Sequence, residues 1–379
     1  MTDPSPAPPS LVSGAAGTAL LYVERAHRGL DDWRTVHDRV RRATTADIVA
    51  DDAAGLFYGL PAVTFVLHAA GRYPPALNTL DPHLVRLAHR RAAAAMARIE
   101  RGEPPTFREY DIFTGLTGIG ALLLLRNPGG SALEAVLRYL VALTRPLRVA
   151  GLAVPGWWVG HDPRSRTAGR YAEGHANLGA AHGVCGPLAL MALAWSAGAR
   201  VPGQREAIGA ILDWLDSWRQ EAEEGPWWPE HLTLEQLRSG RPAQRGPARP
   251  SWCYGTPGIA RAGQLAARAL REPDRQRGYE NALARCLADD HQLDRIADTG
   301  LCHGWAGLYQ AAWRAAADAT TPALSASLPR IADRLRDPSR RRGPDQGFLT
   351  GGAGTALALL TATTNRAPLS GWDACLLIT

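Results

Sequence analysis

Three residues with the chemistry of a soft metal site occupy matching places in the chain. Cys253 stands two residues before a glycine pair, in Ser251-Trp-Cys-Tyr-Gly255. Cys302 and His303 directly precede the next pair, in Leu301-Cys-His-Gly304. Two thiolates and one imidazole suit tetrahedral zinc, and three protein ligands leave a fourth position open, as a catalytic site requires. His182 directly precedes Gly183 and can reach the same place as an acid–base group. A lone cysteine is usually a small buried hydrophobe. That reading holds for Cys286 and Cys375, and for Cys185 inside its own glycine signature. It fails for Cys253, Cys302 and His303, whose positions in neighbouring signatures coincide.

These residues meet only if the fold brings distant segments together, and a repeat supplies the means. Seven short glycine signatures recur, each followed by an apolar helix-forming run: Ser13-Gly-Ala-Ala-Gly17, Leu56-Phe-Tyr-Gly59, Gly115-Leu-Thr-Gly118, Gly183-Val-Cys-Gly186, Gly255-Thr-Pro-Gly258, Gly304-Trp-Ala-Gly307 and Gly351-Gly-Ala-Gly354. Thr18–Tyr22 and Ile119–Leu125 are two of the runs. Between them lie amphipathic helices. Asp81-Pro82 is expected to cap and open one, with Leu84, Leu87, Ala88, Ala95 and Ile99 near one face. Ser131-Ala-Leu-Glu134 reads as a capping box before Leu137, Leu140 and Val141. Ile208, Ile211, Leu212 and Leu215 mark a third helix, and Ile331 and Leu335 a fourth. No convincing run of alternating strand residues stands out.

The fold class that follows is all-α. It is an α/α toroid, a double-layered helical barrel of seven glycine-led helix pairs, with apolar helices inside and amphipathic ones outside. Glycine at an inner helix start permits close backbone approach. All seven signatures then face one end of the central cavity. Residues 1–10 read as a flexible proline-rich N-terminus and 11–379 as a single toroid domain. The segments Arg145–Gly174 and Gln220–Pro250 are long and rich in Gly, Pro and Trp, with Trp157, Trp158, Trp227 and Trp228 expected to pack in the core or anchor the loops.

Composition removes other classes. Of 379 residues, 46% are hydrophobic and 21% charged, which is globular and not disordered. All 42 basic residues are arginine, so Schiff-base and P-loop lysines are excluded. A net charge of +6 is small for this length, and the only dense basic run, Arg340–Arg342, reads as a solvated loop. No nucleic-acid partner is expected. Five widely spaced cysteines do not form a secreted disulfide framework. Met1–Ser10 lacks the pattern of a signal peptide. The uncharged stretch His182–Ala199 carries glycines and a proline and reads as a buried core helix, not a membrane span. A soluble cytoplasmic protein is expected.

Trp252-Cys-Tyr-Gly-Thr-Pro-Gly258, Leu301-Cys-His-Gly-Trp-Ala-Gly307 and Asn177-Leu-Gly-Ala-Ala-His-Gly-Val-Cys-Gly-Pro-Leu-Ala189 resemble the lanthipeptide cyclases, the LanC-like family, over nearly the whole chain. The resemblance implies a zinc-dependent cyclase of lantibiotic biosynthesis. Such an enzyme makes lanthionine and methyllanthionine by adding peptide cysteine thiols to dehydroalanine or dehydrobutyrine. One Zn2+ would be held by Cys253, Cys302 and His303, and His182 would be the catalytic histidine. Asp111, in Glu109-Tyr-Asp-Ile-Phe-Thr-Gly115, matches the family's aspartate. Arg249 matches its arginine four residues before the first zinc cysteine, and Tyr254 its tyrosine after that cysteine. The implied partners are a dehydrated precursor peptide with its leader and a dehydratase. The segment Gly71–Tyr110 is short and mostly helical in pattern, which argues against the small extra domain that some members insert.

The chemistry fits these residues. A peptide thiol with a pKa near 8.5 is mostly protonated at neutral pH and is deprotonated when it binds a metal. Its addition to a dehydro residue builds an enolate, which Arg249 or His182 can stabilise, and His182, oriented by Asp111, can deliver the proton. Tyr254 can donate a hydrogen bond near the metal. Three readings compete. A prenyltransferase-type toroid needs a carboxylate ligand and an Asp-Asp-x-x-Asp motif, and neither is present. A relative that adds glutathione would use the same zinc–thiol chemistry. A non-catalytic scaffold for a dehydratase would need none of Asp111, His182 and Arg249.

Overall fold

Each glycine signature opens an apolar helix, and the seven helices close on one another. In the computed structural model, which describes residues 9–163, 169, 171–340 and 346–379, the chain begins with α1 (Ala15–His27), α2 (Trp33–Ala43), α3 (Leu60–Ala70) and α4 (Pro74–Glu100). It continues through α5 (Phe107–Tyr110), α6 (Leu116–Arg126), α7 (Ser131–Leu143), α8 (Cys185–Ser196), α9 (Gln204–Ser217) and α10 (Leu234–Ser239). The last part holds α11 (Thr256–Leu270), α12 (Pro273–Ala288), α13 (Asp290–Leu293), α14 (Trp305–Ala317), α15 (Ala323–Arg336) and α16 (Gly352–Thr364). Helices α1, α3, α6, α8, α11, α14 and α16 form the inner ring, each packed on the next, with α16 packed on α1. Most of Met1–Ser10, and Arg341 and Arg342 of the basic run, lie outside the described residues.

The outer layer is α2, α4, α7, α9, α12 and α15, each seated on the ring by one apolar face. In α9 that face is Ile208, Ile211, Leu212 and Leu215, all buried. The seventh inner helix differs from the expected pairing. Among the described residues α16 is followed by no outer helix but by a buried turn, Trp372–Leu376. This segment packs on α6 and is bonded to α11 and α14. Gln310 and Arg314 of α14 both donate to the Asp373 carboxylate at 2.7 Å, and Arg261 of α11 donates to the Ile378 carbonyl at 3.0 Å. The end of the chain thus fills the ring that the inner helices enclose.

The loops before the inner helices are joined by a closed belt of backbone hydrogen bonds. Leu349 N–H donates to Val12 C=O at 3.0 Å, Leu11 to Phe57 at 2.9 Å, and Phe57 to Phe113 at 3.1 Å. Ile112 donates to Ala181 at 3.2 Å and Ala181 to Cys253 at 3.4 Å. Cys253 donates to Cys302 at 3.2 Å, and Cys302 to Leu349 at 2.9 Å, which completes the circle. The loop folds tightly over the first turn of its own helix, and this explains the second glycine of the signature. A Cβ at Gly258 would lie 2.0 Å from the Trp252 carbonyl oxygen, and one at Gly307 1.8 Å from that of Leu301.

The belt corrects the second signature. Phe57 is the belt residue, two before Gly59, as Cys253 is two before Gly255. Gly59 caps α3, so it is the first glycine of its copy, and Ala62 takes the second place. Two helix starts are corrected as well. Helix α4 begins at Pro74, with proline in its first turn, and runs through Pro82. Asp81 caps nothing there and instead holds Arg126 at 2.5 Å. Helix α7 does begin at Ser131, but behind Gly130 and without a side-chain cap. The Ser131 hydroxyl meets His89 at 3.1 Å, and Glu134 pairs with Arg138.

Short strands also appear in the two long segments. Strands β1 (Leu147–Val149) and β2 (Leu152–Val154) pair antiparallel, as do β3 (Ala176–Asn177) and β4 (His231–Leu232). Two or three residues are too few to show alternation in sequence. The four tryptophans of these segments are buried, and two are tied down: Trp228 Nε1 donates to Leu215 C=O at 2.8 Å and Trp158 Nε1 to Glu173 C=O at 3.2 Å. The stretch 71–110 is occupied by α4 and α5. Among the described residues no helix is long and apolar enough to cross a membrane.

Candidate functional site

The belt sets the first group of side chains. Cys253 and Cys302 are consecutive belt residues, joined directly by a backbone hydrogen bond, so their thiols leave adjacent loops side by side. His303 follows on the same loop as Cys302. One ligand atom from each of Cys253, Cys302 and His303 lies within 4.8 Å of the others. The Ser251 hydroxyl is 3.5 Å from Cys253 Sγ, and the Asp298 carboxylate is 3.5 Å from His303 Nε2.

The cluster is polarised. A hydrogen bond from the Cys302 thiol, joined by one from His303, holds Cys253 well below the usual thiol range against the cost of burial. Cys302, which keeps the shared proton, is pushed up by that bond and by burial, and His303 is pushed up by its bond to Cys253. The two thiols and the imidazole are thus joined by direct hydrogen bonds through Cys253. Arg249 adds a positive charge that acts on both Cys302 and His303, and its Nε is buried with no hydrogen-bond partner among the described residues.

A second group stands on the neighbouring loops. His182 Nδ1 and Asp111 Oδ2 are 2.7 Å apart, and Asp111 is buried. The other Asp111 oxygen accepts the backbone N–H of Thr114 and of Gly115, each at 2.8 Å. A carboxylate held this way can only accept, so the histidine carries its proton on Nδ1 and Nε2 is left for other work. The imidazole lies between the rings of Phe107 and Phe113, with centroids 5.4 Å and 4.9 Å away. Tyr110 donates its hydroxyl to the His182 carbonyl at 3.1 Å.

Residues 5–377 match the lanthionine synthetase C-like proteins. The chain belongs to this family. Over 220 residues it is 26% identical to the nisin biosynthesis protein NisC of Lactococcus lactis subsp. lactis, a match that covers 56% of this chain and 50% of that protein. The chain thus spans about half the length of the curated relative it matches. The structure of nisin cyclase superposes with a TM-score of 0.82 at 20% identity, covering all of this chain and 93% of that one. The shared fold is the LanC-like α/α toroid.

The donor set of this LanC-like chain fits zinc. Tetrahedral bonds of about 2.3 Å to sulfur and 2.0 Å to nitrogen place ligand atoms about 3.5–3.8 Å apart, and the three here lie within 4.8 Å of one another. The other three cysteines of this chain lie outside the cluster. Cys185, Cys286 and Cys375 are buried, and burial pushes their thiols up, Cys286 to about 12.

The catalytic and metal-ligand candidates of the sequence stand at this end of the toroid, but in two groups. Cys253, Cys302, His303 and Arg249 form one, and Asp111 and His182 the other. Tyr254 links them. Its hydroxyl accepts from Asn177 Nδ2 at 2.8 Å, and Asn177 Oδ1 accepts the Gly179 N–H at 2.9 Å on the loop that carries His182. A cavity of about 1020 Å³ borders the second group and is lined by Tyr58, Asp111, Phe113, His182 and Leu349 among others. Sequence reasoning left Asn177, Asp298 and Tyr58 unassigned. The signal for Tyr58 was its place directly before Gly59, which matches that of His182 before Gly183.

Proposed function

We propose that this LanC-like protein is a zinc-dependent lanthionine and methyllanthionine cyclase, with residues 11–379 acting as one catalytic domain. Its substrate is a dehydrated precursor peptide with its leader, supplied by a dehydratase in the same cytoplasm. What carries the reading is a single arrangement: a two-cysteine, one-histidine cluster beside a histidine–aspartate pair on one belt of loops. Zinc held by Cys253, Cys302 and His303 would act as a Lewis acid that lowers the pKa of a thiol at the open position.

The remaining steps belong to the side chains. The peptide sulfur adds to the β-carbon of a dehydroalanine or dehydrobutyrine in the same peptide, and the displaced π-electrons move to the adjacent carbonyl oxygen. Arg249, fixed in charge and partly desolvated, stabilises that oxygen. His182 Nε2 takes up the proton released by the peptide thiol, Asp111 steadies the resulting imidazolium through Nδ1–H, and Nε2 then delivers that proton to the α-carbon. Tyr254, whose phenol is held neutral by burial and by the charge on Cys253, acts as a hydrogen-bonding group at the edge of the site. The thiol proton lost and the α-carbon proton gained balance, so substrate and product have the same mass.

The test uses a dehydrated peptide with free cysteines. On incubation with the zinc-loaded protein, the peptide loses its ability to be alkylated while its mass stays constant, as mass spectrometry reads directly. Thiols that persist unchanged would overturn the reading. Consumption of added glutathione with a corresponding gain in peptide mass would replace it with intermolecular thiol addition.

A further inference from the structure

The ring has sevenfold pseudo-symmetry, and the proposed chemistry uses it unevenly. The residue directly before the first glycine of each copy is Ser13, Tyr58, Thr114, His182, Tyr254, His303 and Thr350. Three consecutive members of that series, His182, Tyr254 and His303, belong to the site described above. Each leaves an equivalent loop just beyond the belt, so each points toward the same end of the toroid. Tyr58 holds this place in the second copy. Thr114 in the third is turned to the Asp111 carboxylate, 3.3 Å from its hydroxyl.

Tyr58 differs from the other large apolar side chains. Among the described residues it is one of four that are exposed, at 38%, and it alone of the four lines the cavity that also holds Asp111 and His182. Its loop is firmly held. Tyr58 and Gly55 exchange backbone hydrogen bonds at 2.8 Å and 3.1 Å, and Gly59 N–H donates to Pro9 C=O at 2.9 Å. Gly59 itself is in the left-handed region at φ 69°, which suits glycine. From outer helix α4, the buried Arg91 guanidinium bonds Ala54 C=O at 2.8 Å and Thr114 C=O at 2.5 Å. One side chain thereby ties the Tyr58 loop to the Asp111 loop. A half-exposed aromatic on so fixed a loop is placed to meet something in the cavity. The other walls there include Val12, Val49, Phe107, Phe113 and Leu349, which suit an apolar peptide strand.

We propose that Tyr58 is a substrate-binding residue of the acceptor side, its ring covering the dehydrated strand and its hydroxyl donating to a backbone carbonyl oxygen of that strand. The inference rests on the cyclase reading for the identity of the strand. The cavity borders His182 and Asp111 and none of Cys253, Cys302 and His303. The dehydro residue, which must receive a proton from His182, therefore belongs on this side, and the cysteine belongs on the side of the metal cluster. A phenol keeps its proton at neutral pH, and burial with the nearby Asp111 charge pushes Tyr58 further up.

The test separates this inference from the cyclase reading by measuring binding without turnover. The probe is a dehydrated precursor peptide whose cysteines are replaced by serine, titrated against the full-length zinc-loaded protein by fluorescence anisotropy. Loss of one neutral hydrogen bond weakens binding about three- to tenfold. Tyr58→Phe is expected to show that loss in Kd and the same rise in KM for the cyclisable peptide, with zinc content and Tm unchanged. Tyr58→Ala is expected to lose more, through the ring. An unaltered Kd for Tyr58→Phe overturns the hydroxyl's role, and an unaltered Kd for Tyr58→Ala overturns the whole assignment. If the wild-type protein binds the probe but never cyclises its cysteine-containing parent, the cyclase reading fails while the Tyr58 result still stands on its own.

Discussion

The loops of the fourth to sixth copies and those of the seventh and first share one backbone and differ in two side-chain positions. Both sets sit in the belt and lead into inner helices at a glycine, although in the first copy Leu11 and not Val12 donates onward. The belt position holds Ala181, Cys253 and Cys302 in one set and Leu349 and Val12 in the other. The next position holds His182, Tyr254 and His303 against Thr350 and Ser13. The glycines and the backbone belt therefore build the ring regardless of function. In the function proposed above, the chemistry is carried on that ring by His182, Cys253, Tyr254, Cys302 and His303. This separation is what allows metal binding, turnover and stability to be altered one at a time.

The largest effect expected is at the metal. Wild-type protein should hold about one zinc per chain. Cys302→Ala should lose most of it and all cyclisation, because two ligands cannot close a tetrahedral site. Cys286→Ala should keep both metal and activity, since that thiol is buried between α12 and α13 and bonded to Gln292 at 3.4 Å. Elemental analysis with a thiol count sharpens the contrast. Chelation should make the half-buried Cys302 thiol open to alkylation in the folded wild-type protein, and Cys185, Cys286 and Cys375 should react only on unfolding. Full zinc occupancy in Cys302→Ala would break the comparison at its centre.

Next comes turnover without metal loss. His182→Asn should retain zinc and Tm and slow ring closure by about 10²–10⁴, the usual cost of removing a positioned acid–base group. Asp111→Asn should retain zinc with a smaller loss, because the amide can no longer accept on both sides and the imidazole loses its fixed tautomer. Zinc loss in His182→Asn would make that histidine a ligand. An unchanged rate would make it a packed core residue between Phe107 and Phe113.

The parts of this organisation that could be read in the sequence are those carried by repetition. The apolar runs and the glycine signatures pointed to a toroid because each copy repeats the same local problem, a helix start crossed by its own preceding loop. The Cys253, Cys302 and His303 cluster was visible for the same reason. What escaped was whatever depends on a partner far away in sequence. Asp81 looked like a cap but is drawn to Arg126, and Ser131 is drawn to His89. In the second copy alanine replaces the second glycine, so local spacing misplaced the register by three residues, and only the belt partner of Phe57 restores it. Asn177 stood inside a quoted motif, yet its role depends on Tyr254, which no local pattern connects to it.

The smallest effects should separate the glycines that build the ring from those that merely occupy helices. At Gly258 an added Cβ would lie 2.0 Å from the Trp252 carbonyl oxygen, and at Gly17 one would lie 2.3 Å from that of Leu11. Both approaches are to backbone, which cannot swing aside, so each alanine variant should lose about 1–3 kcal/mol of stability, the usual cost of overpacking. Gly209, within α9, has nothing within 4 Å of its added Cβ. There Gly209→Ala should gain about 0.5–1 kcal/mol through helix propensity. Denaturant unfolding of the three variants tests the sign at each position. The two signature glycines then divide on metal. Trp252 is joined to Cys253, so the displacement forced by Gly258→Ala moves a ligand and should weaken zinc binding as well. The equivalent displacement in Gly17→Ala moves Leu11 and Val12, on a loop that holds no ligand, and should leave zinc affinity unaltered. Equal zinc affinity in both variants would mean that the ligands are positioned by their own loops and not by the turn beneath them.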